Sequence, residues 1–125
     1  YFVFWDLDVD RMNQACQILM EYKDFSSFSK ARTQTKTNLC DIHRASWKSQ
    51  DHMLIFTIQA NRFLRNMVRA IVGTMIEIGQ GRLKPEDIHT IIQSRNRSDA
   101  GYSVPANGLY LTRIEYPQAL DLQLT

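Results

Sequence analysis

The residue pattern predicts an α+β domain, a mostly antiparallel sheet covered by helices on one face, close to the split βαβ arrangement. Three observations predict it. Residues 37–47 and 52–60 are strand-like runs joined by the polar link Lys48-Ser49-Gln50-Asp51, which reads as a hairpin. Apolar residues recur at helical spacing on both sides of that hairpin, from Val9 and again from Phe63. A further strand, Leu109 to Tyr116, follows the helices and closes at Pro117.

Taken in order, Tyr1 to Trp5 is an aromatic run long enough only for a strand end. Asp8 or Asp10 supplies an N-cap, and Val9, Met12, Ala15, Cys16 and Leu19 give a helix to about Tyr22. Lys23 to Lys30 reads as a structured loop, with Phe25 and Phe28 spaced by serines and flanked by lysines. Such interleaving stacks on bases and holds phosphates in single-strand binders, which makes Lys30 a candidate phosphate contact. The other reading is that both rings are pinned into the core. In the hairpin, Leu39, Cys40, Ile42, Ala45 and Trp47 face Leu54, Phe56, Ile58 and Ala60. Gly79-Gln80-Gly81 ends the second helix, and Pro85 starts a short third one of about ten residues. Ser94 to Asn107 is a long Ser/Asn/Gly/Pro-rich segment, of the kind that is functional or disordered in a small domain.

A chain of 125 residues with 44% apolar composition builds one core and one domain, assigned to residues 1–117 with 118–125 as a tail. The net charge of +2 does not by itself announce a nucleic-acid partner. Cys16 and Cys40 lack metal-site or disulfide spacing and read as small core residues. No apolar run reaches the roughly 18 residues of a membrane span, so a cytoplasmic protein is expected. The opening Tyr1-Phe2-Val3-Phe4-Trp5 reads as a cut chain rather than a signal peptide. His43, His52 and His89 form no metal triad or nucleophile pair and read as structural or exposed.

The second helical region carries the chemistry. Read as a helix from Asn61 to Gly79, it sets Arg62, Arg65 and Arg69 within roughly 60° of one another in the first two turns. A helix N-terminus is partly positive and prefers acids. Three guanidinium groups there, with free N–H groups beside them, make a receptor for an anion. The alternative, a solvated charged face, sits less well with the dipole conflict and with a helix too apolar elsewhere to be a surface helix.

Phe63-Leu64-Arg65-Asn66-Met67-Val68-Arg69, then Ile71-Val72-Gly73, Gly79-Gln80-Gly81, Ala100-Gly101, Pro105-Ala106 and Gly108-Leu109-Tyr110-Leu111, ending in Tyr116-Pro117, resemble the C-terminal half of TruA-type tRNA pseudouridine synthases. Asp24-Phe25-Ser26-Ser27-Phe28 resembles the same family's loop before the hairpin. The resemblance implies a ferredoxin-like pseudouridine synthase fold and a homodimer. It implies an enzyme that isomerises uridine to pseudouridine in the tRNA anticodon arm without cofactor or metal. The family's catalytic aspartate lies in a Gly-Arg-Thr-Asp motif of the N-terminal half. That motif is absent here, and Asp99 in Ser98-Asp99-Ala100-Gly101 does not replace it. The chain is therefore expected to be inactive alone.

By the same resemblance, Arg69 forms an ion pair with the absent aspartate and Leu109 packs on the target base. Arg62 and Arg65 have no fixed family role and are assigned to phosphates near the extruded uridine. Two other classes remain open: a non-catalytic RNA-binding module on a ferredoxin-like scaffold, and a dimerisation domain. The strands lack the paired aromatics of an RRM-type platform, and a dimerisation role leaves the arginines unused.

Overall fold

Asp8 starts the first helix, α1 (Val9–Leu19), where its carboxylate accepts the Arg11 N–H at 3.1 Å and satisfies a donor the N-terminus leaves free. The computed structural model describes residues 7–29, 39–50, 53–101, 103–104, 110–115 and 119–124. Within them the order is α1, β1 (Ile42–Gln50), β2 (Met53–Ala60), α2 (Met67–Gly79), α3 (Asp87–Ser94), β3 (Tyr110–Glu115) and β4 (Ala119–Leu124). The strand expected at Tyr1 to Trp5 lies outside the described residues.

α1 buries Met12, Ala15, Cys16 and Leu19, the apolar stripe read from the sequence. It ends before Tyr22 because the chain there becomes extended. Asp24 bridges Leu39, and the Cys40 N–H donates to the Lys23 carbonyl at 2.8 Å. The loop that follows is tied down by its own side chains. Asp24 accepts from the Ser26 N–H at 3.0 Å and the Ser26 hydroxyl at 2.5 Å, and the buried Ser27 hydroxyl donates to the Ile91 carbonyl at 2.6 Å. Phe25 and Phe28 are fully buried beneath it, which decides for the core reading of these rings.

The sheet has the order β1-β2-β4-β3 with every pair antiparallel. Ala45, Trp47, Phe56 and Ile58 are buried on one face, while Arg44 and Lys48 of β1 are exposed on the other. The helices therefore cover a single face, as an α+β fold of the ferredoxin-like type requires. Trp47 stacks on its cross-strand partner Phe56 with ring centroids 4.7 Å apart. Asn13 of α1 reaches the edge of β1 turned away from β2, accepting the Trp47 N–H at 2.7 Å and donating to the Trp47 carbonyl at 3.1 Å. Those two backbone groups are thereby denied to a foreign strand.

β1 starts at Ile42 rather than at residue 37, and other strand boundaries differ from expectation too. Lys48, Ser49 and Gln50, expected in the hairpin link, extend β1 and pair with Ile55, Leu54 and Met53. A ladder of backbone hydrogen bonds needs no apolar side chains at an exposed strand end. Ala119–Leu124, within the stretch 118–125 expected as a tail, form β4, which lies between β2 and β3. Leu120, Leu122 and Leu124 alternate with polar residues, the period of a strand, and stand opposite Ile58, Phe56 and Leu54. The domain therefore runs past Pro117.

α2 is the centre of the core, with ten of its thirteen residues buried and α1 packed against it. Gly81, at φ +83°, turns the chain out of it. α3 buries Ile88, Ile91 and Ile92 and begins at Asp87, two residues after Pro85.

Candidate functional site

The helix expected from Asn61 starts six residues later, at Met67. The reason lies in two asparagines. Asn61 accepts the Asp41 N–H on its side-chain oxygen at 2.8 Å and donates its own N–H to the Asp41 carbonyl at 3.1 Å, holding this segment to the base of the hairpin. Asn66 takes a left-handed conformation, φ 66°, which no continuous α-helix contains. Leu64 and Met67 still reach the core, joined by a turn in which the Met67 N–H donates to the Leu64 carbonyl at 3.1 Å. That turn preserves the i, i+3 spacing that mimicked a helix.

The three arginines are consequently not one stacked face. Arg62 lies before the helix, half-buried, and donates from Nη1 to the Leu39 carbonyl at 3.2 Å. Arg65 is exposed in the turn. Only Arg69 belongs to the first turn of α2, so the conflict with the helix dipole falls on it alone. Lys30 and Leu109 lie outside the described residues.

Arg69 is half-buried and meets the segment after α3. Its Nε donates to the Val104 carbonyl at 2.8 Å, and the Val104 N–H donates back to the Arg69 carbonyl at 3.2 Å. Among the described residues the two Nη groups have no partner. A guanidinium with Nε fixed presents its Nη1/Nη2 edge, the geometry that takes a carboxylate or phosphate through two parallel hydrogen bonds.

The segment from Ser94 expected to be functional or disordered is ordered as far as it is described. Arg95, at φ 55°, turns the chain, and its Nε pairs with the Asp24 carboxylate at 3.2 Å. The Asn96 side chain accepts the Ser98 N–H at 3.1 Å and caps a short 3-10 turn, Arg97–Asp99. Gly101 then comes down onto α2, its N–H donating at 2.8 Å to the Thr74 hydroxyl, which in turn donates to the Ala70 carbonyl at 2.9 Å. A Cβ at Gly101 would lie 2.9 Å from the Thr74 Cα, so glycine is required by the approach of two backbones. Ser103 accepts from Asn66 Nδ2 at 2.6 Å and from Arg97 Nη2 at 2.8 Å. Val104 is fully buried beyond it.

Asn66, Arg97 and Ser103 were not singled out from the sequence. A single signal pointed to one of them: asparagine is the non-glycine residue that best tolerates the left-handed region, and Asn66 stands just before an apolar run.

Other reactive groups are held quiet. Burial pushes the Cys16 thiol up to about 12. Burial also raises the Cys40 thiol, against the pull of the nearby Arg62. Neither is a ready nucleophile at neutral pH. The Tyr22 hydroxyl and His89 Nδ1 are hydrogen-bonded at 2.5 Å, a structural use of that histidine, and His43 is exposed. His52 lies outside the described residues. A cleft of about 300 Å³ lies between the end of α1 and the start of β1, and Lys23 and Asp41 pair on its wall. Among the described residues no group of three or more His, Cys, Asp or Glu is placed to hold a metal ion, and no helix is long and apolar enough to cross a membrane.

Fold and site together define an α+β domain in which one guanidinium at the start of the central helix is positioned by a loop carbonyl. The family model for tRNA pseudouridine synthase matches residues 15–117, and the chain belongs to that family. It is 52% identical over 115 residues to "tRNA pseudouridine synthase A" of Bacteroides fragilis, covering 91% of this chain and 46% of the relative. The protein of that name from Bacteroides thetaiotaomicron is 50% identical over 121 residues, 94% of this chain and 45% of the relative. The one from Francisella tularensis subsp. novicida is 36% identical over 113 residues, 90% and 44%. The chain spans a little under half the length of these curated relatives.

Proposed function

We propose that this chain is the C-terminal half of a cytoplasmic, homodimeric tRNA pseudouridine synthase acting on the anticodon arm. In this reading Arg69 forms an ion pair with an aspartate outside the chain, supplied by the N-terminal half of the same protein. The observation that carries it is the state of Arg69: Nε is fixed by the Val104 carbonyl, and among the described residues the Nη groups have no partner.

The chemistry asks for such a group. In the isomerisation the bond from ribose to a ring nitrogen breaks, a bond to a ring carbon forms, and a proton leaves that carbon as another joins the nitrogen. The aspartate that attacks must stay ionised in a site closed to water, where desolvation would raise its pKa; an adjacent guanidinium opposes that rise. The uridine must also leave its stack, at a cost of a few kcal/mol. Leu109 offsets part of that cost by packing on the base. Arg65, with Arg62 and Lys30, offsets more by holding phosphates. Of the two described arginines Arg65 is the better placed, being exposed, whereas Arg62 already serves the Leu39 carbonyl.

The direct test is pseudouridine formation on an unmodified tRNA transcript by the full-length protein and by this 125-residue chain. Activity in the first and none in the second is expected. Absence of activity in both, with RNA binding intact, would replace the enzyme reading by a binding module.

A further inference from the structure

The Ser103 hydroxyl has two acceptor sites, and both are taken, by Asn66 Nδ2 at 2.6 Å and Arg97 Nη2 at 2.8 Å. Arg97 also donates from Nη1 to the Gly101 carbonyl at 2.9 Å, so one planar guanidinium spans both ends of residues 101–103. Asn66 stands three positions before Arg69, and Ser103 directly precedes Val104. Two segments more than thirty residues apart are thus joined on either side of the Arg69–Val104 contact. Asn66 also keeps a left-handed backbone, φ 66°, that glycine would adopt without strain. Glycine has no amide to give to Ser103.

We propose that Asn66, Ser103 and Arg97 form a clamp that positions Arg69, fixing Val104 where its carbonyl meets Nε so that the Nη edge faces the catalytic carboxylate. The inference rests on the ion-pair role of Arg69 proposed above. An unrestrained arginine side chain spreads over many rotamers, and aligning a two-point contact with a carboxylate then falls to the reaction step. The three clamp residues touch no reacting atom; they act through Arg69.

The test uses the full-length protein with Asn66→Gly, Ser103→Ala, Ser103→Thr, Arg69→Ala and the double variant Asn66→Gly/Arg69→Ala. Asn66→Gly keeps the turn and removes the amide, and Ser103→Ala removes the same bond from the other side, so either suffices if the other misfolds. The clamp predicts that both lower kcat about ten- to a hundredfold with KM for tRNA unchanged. It predicts that the acid limb of kcat moves to higher pH, because a misaligned cation holds the carboxylate ionised less well. Ser103→Thr, which keeps the oxygen, restores turnover, and the double variant is no slower than Arg69→Ala. Unchanged kcat and an unmoved acid limb in Asn66→Gly and Ser103→Ala, with Arg69→Ala inactive, would overturn the clamp and leave the ion pair standing. So would losses that multiply in the double variant. Full activity of Arg69→Ala would instead remove the reading on which the clamp depends.

Discussion

Arg69 and Val104 hold each other twice, backbone N–H to carbonyl at 3.2 Å and guanidinium Nε to carbonyl at 2.8 Å, across thirty-five positions of sequence. The pair ties the first turn of α2 to the end of the loop that follows α3. Residues on both sides of this junction are therefore expected to matter beyond their own contacts.

Gly101 sets how closely that loop can lie on the helix. Gly101→Ala brings a Cβ to 2.9 Å from the Thr74 Cα, backbone that cannot move aside, and should destabilise the domain by about 1–3 kcal/mol in urea titration. Thr74→Val leaves the Gly101 N–H without its acceptor and should cost a similar amount, about 1–3 kcal/mol, whereas Thr74→Ser keeps the oxygen and most of the stability. Equal stability of Thr74→Val and the parent would contradict the contact.

Arg65 and Arg62 are expected to separate in a salt titration of tRNA binding. Removing one phosphate contact flattens the log–log slope by about 0.7–0.9. Arg65→Ala should show that change. Arg62→Ala should show less of it, since Arg62 serves the Leu39 carbonyl. An unchanged slope for Arg65→Ala would take that residue out of the interface.

Cys16 should resist alkylation in the folded protein. With its thiol pushed up to about 12 and its side chain fully buried, the reactive thiolate is scarce at pH 8. Iodoacetamide followed by peptide mass spectrometry should find Cys16 unlabelled until denaturant is added. Labelling of the native protein at a rate independent of denaturant would show that the site opens locally.

The pair between Lys23 and Asp41 gives an acid-side signature. The hydrogen bond and charge of Lys23 lower the Asp41 pKa below its ordinary 3.8. A lowered folded pKa means that the contribution is fully present above the unfolded value and disappears as pH falls through the folded one. Lys23→Ala should therefore be slightly less stable than the parent at neutral pH and converge with it in strong acid. Since both side chains are largely in water, the difference is small. A gap that widened on acidification would reverse the assigned sign.

Much of this architecture could be read from residue spacing. The stripe Met12, Ala15, Cys16, Leu19 and the alternation Phe56, Ile58, Ala60, with Leu54 partly buried at its start, are local patterns whose burial agrees with the reading. The start of α2 is hidden in the sequence because the turn at Asn66 keeps apolar side chains at helical intervals while the backbone is left-handed. Pro117 reads as a stop and hides β4, although Leu120, Leu122 and Leu124 alternate as a strand does. At the site, Arg69 was visible within a motif. Its partner was not, because the Val104 contact runs through a backbone carbonyl whose position depends on the path of the whole loop. The same holds for Ser103, which no local pattern distinguishes from the other serines nearby.

Whether Arg69 presents its Nη edge to a catalytic carboxylate is decided by pseudouridine formation on an unmodified tRNA transcript by the full-length protein and its Arg69→Ala variant, with tRNA affinity measured alongside. Turnover lower by about a hundredfold or more, with affinity largely kept, is the predicted result. Near-parental turnover in Arg69→Ala would contradict the ion pair and leave the Arg69–Val104 contact a purely structural one.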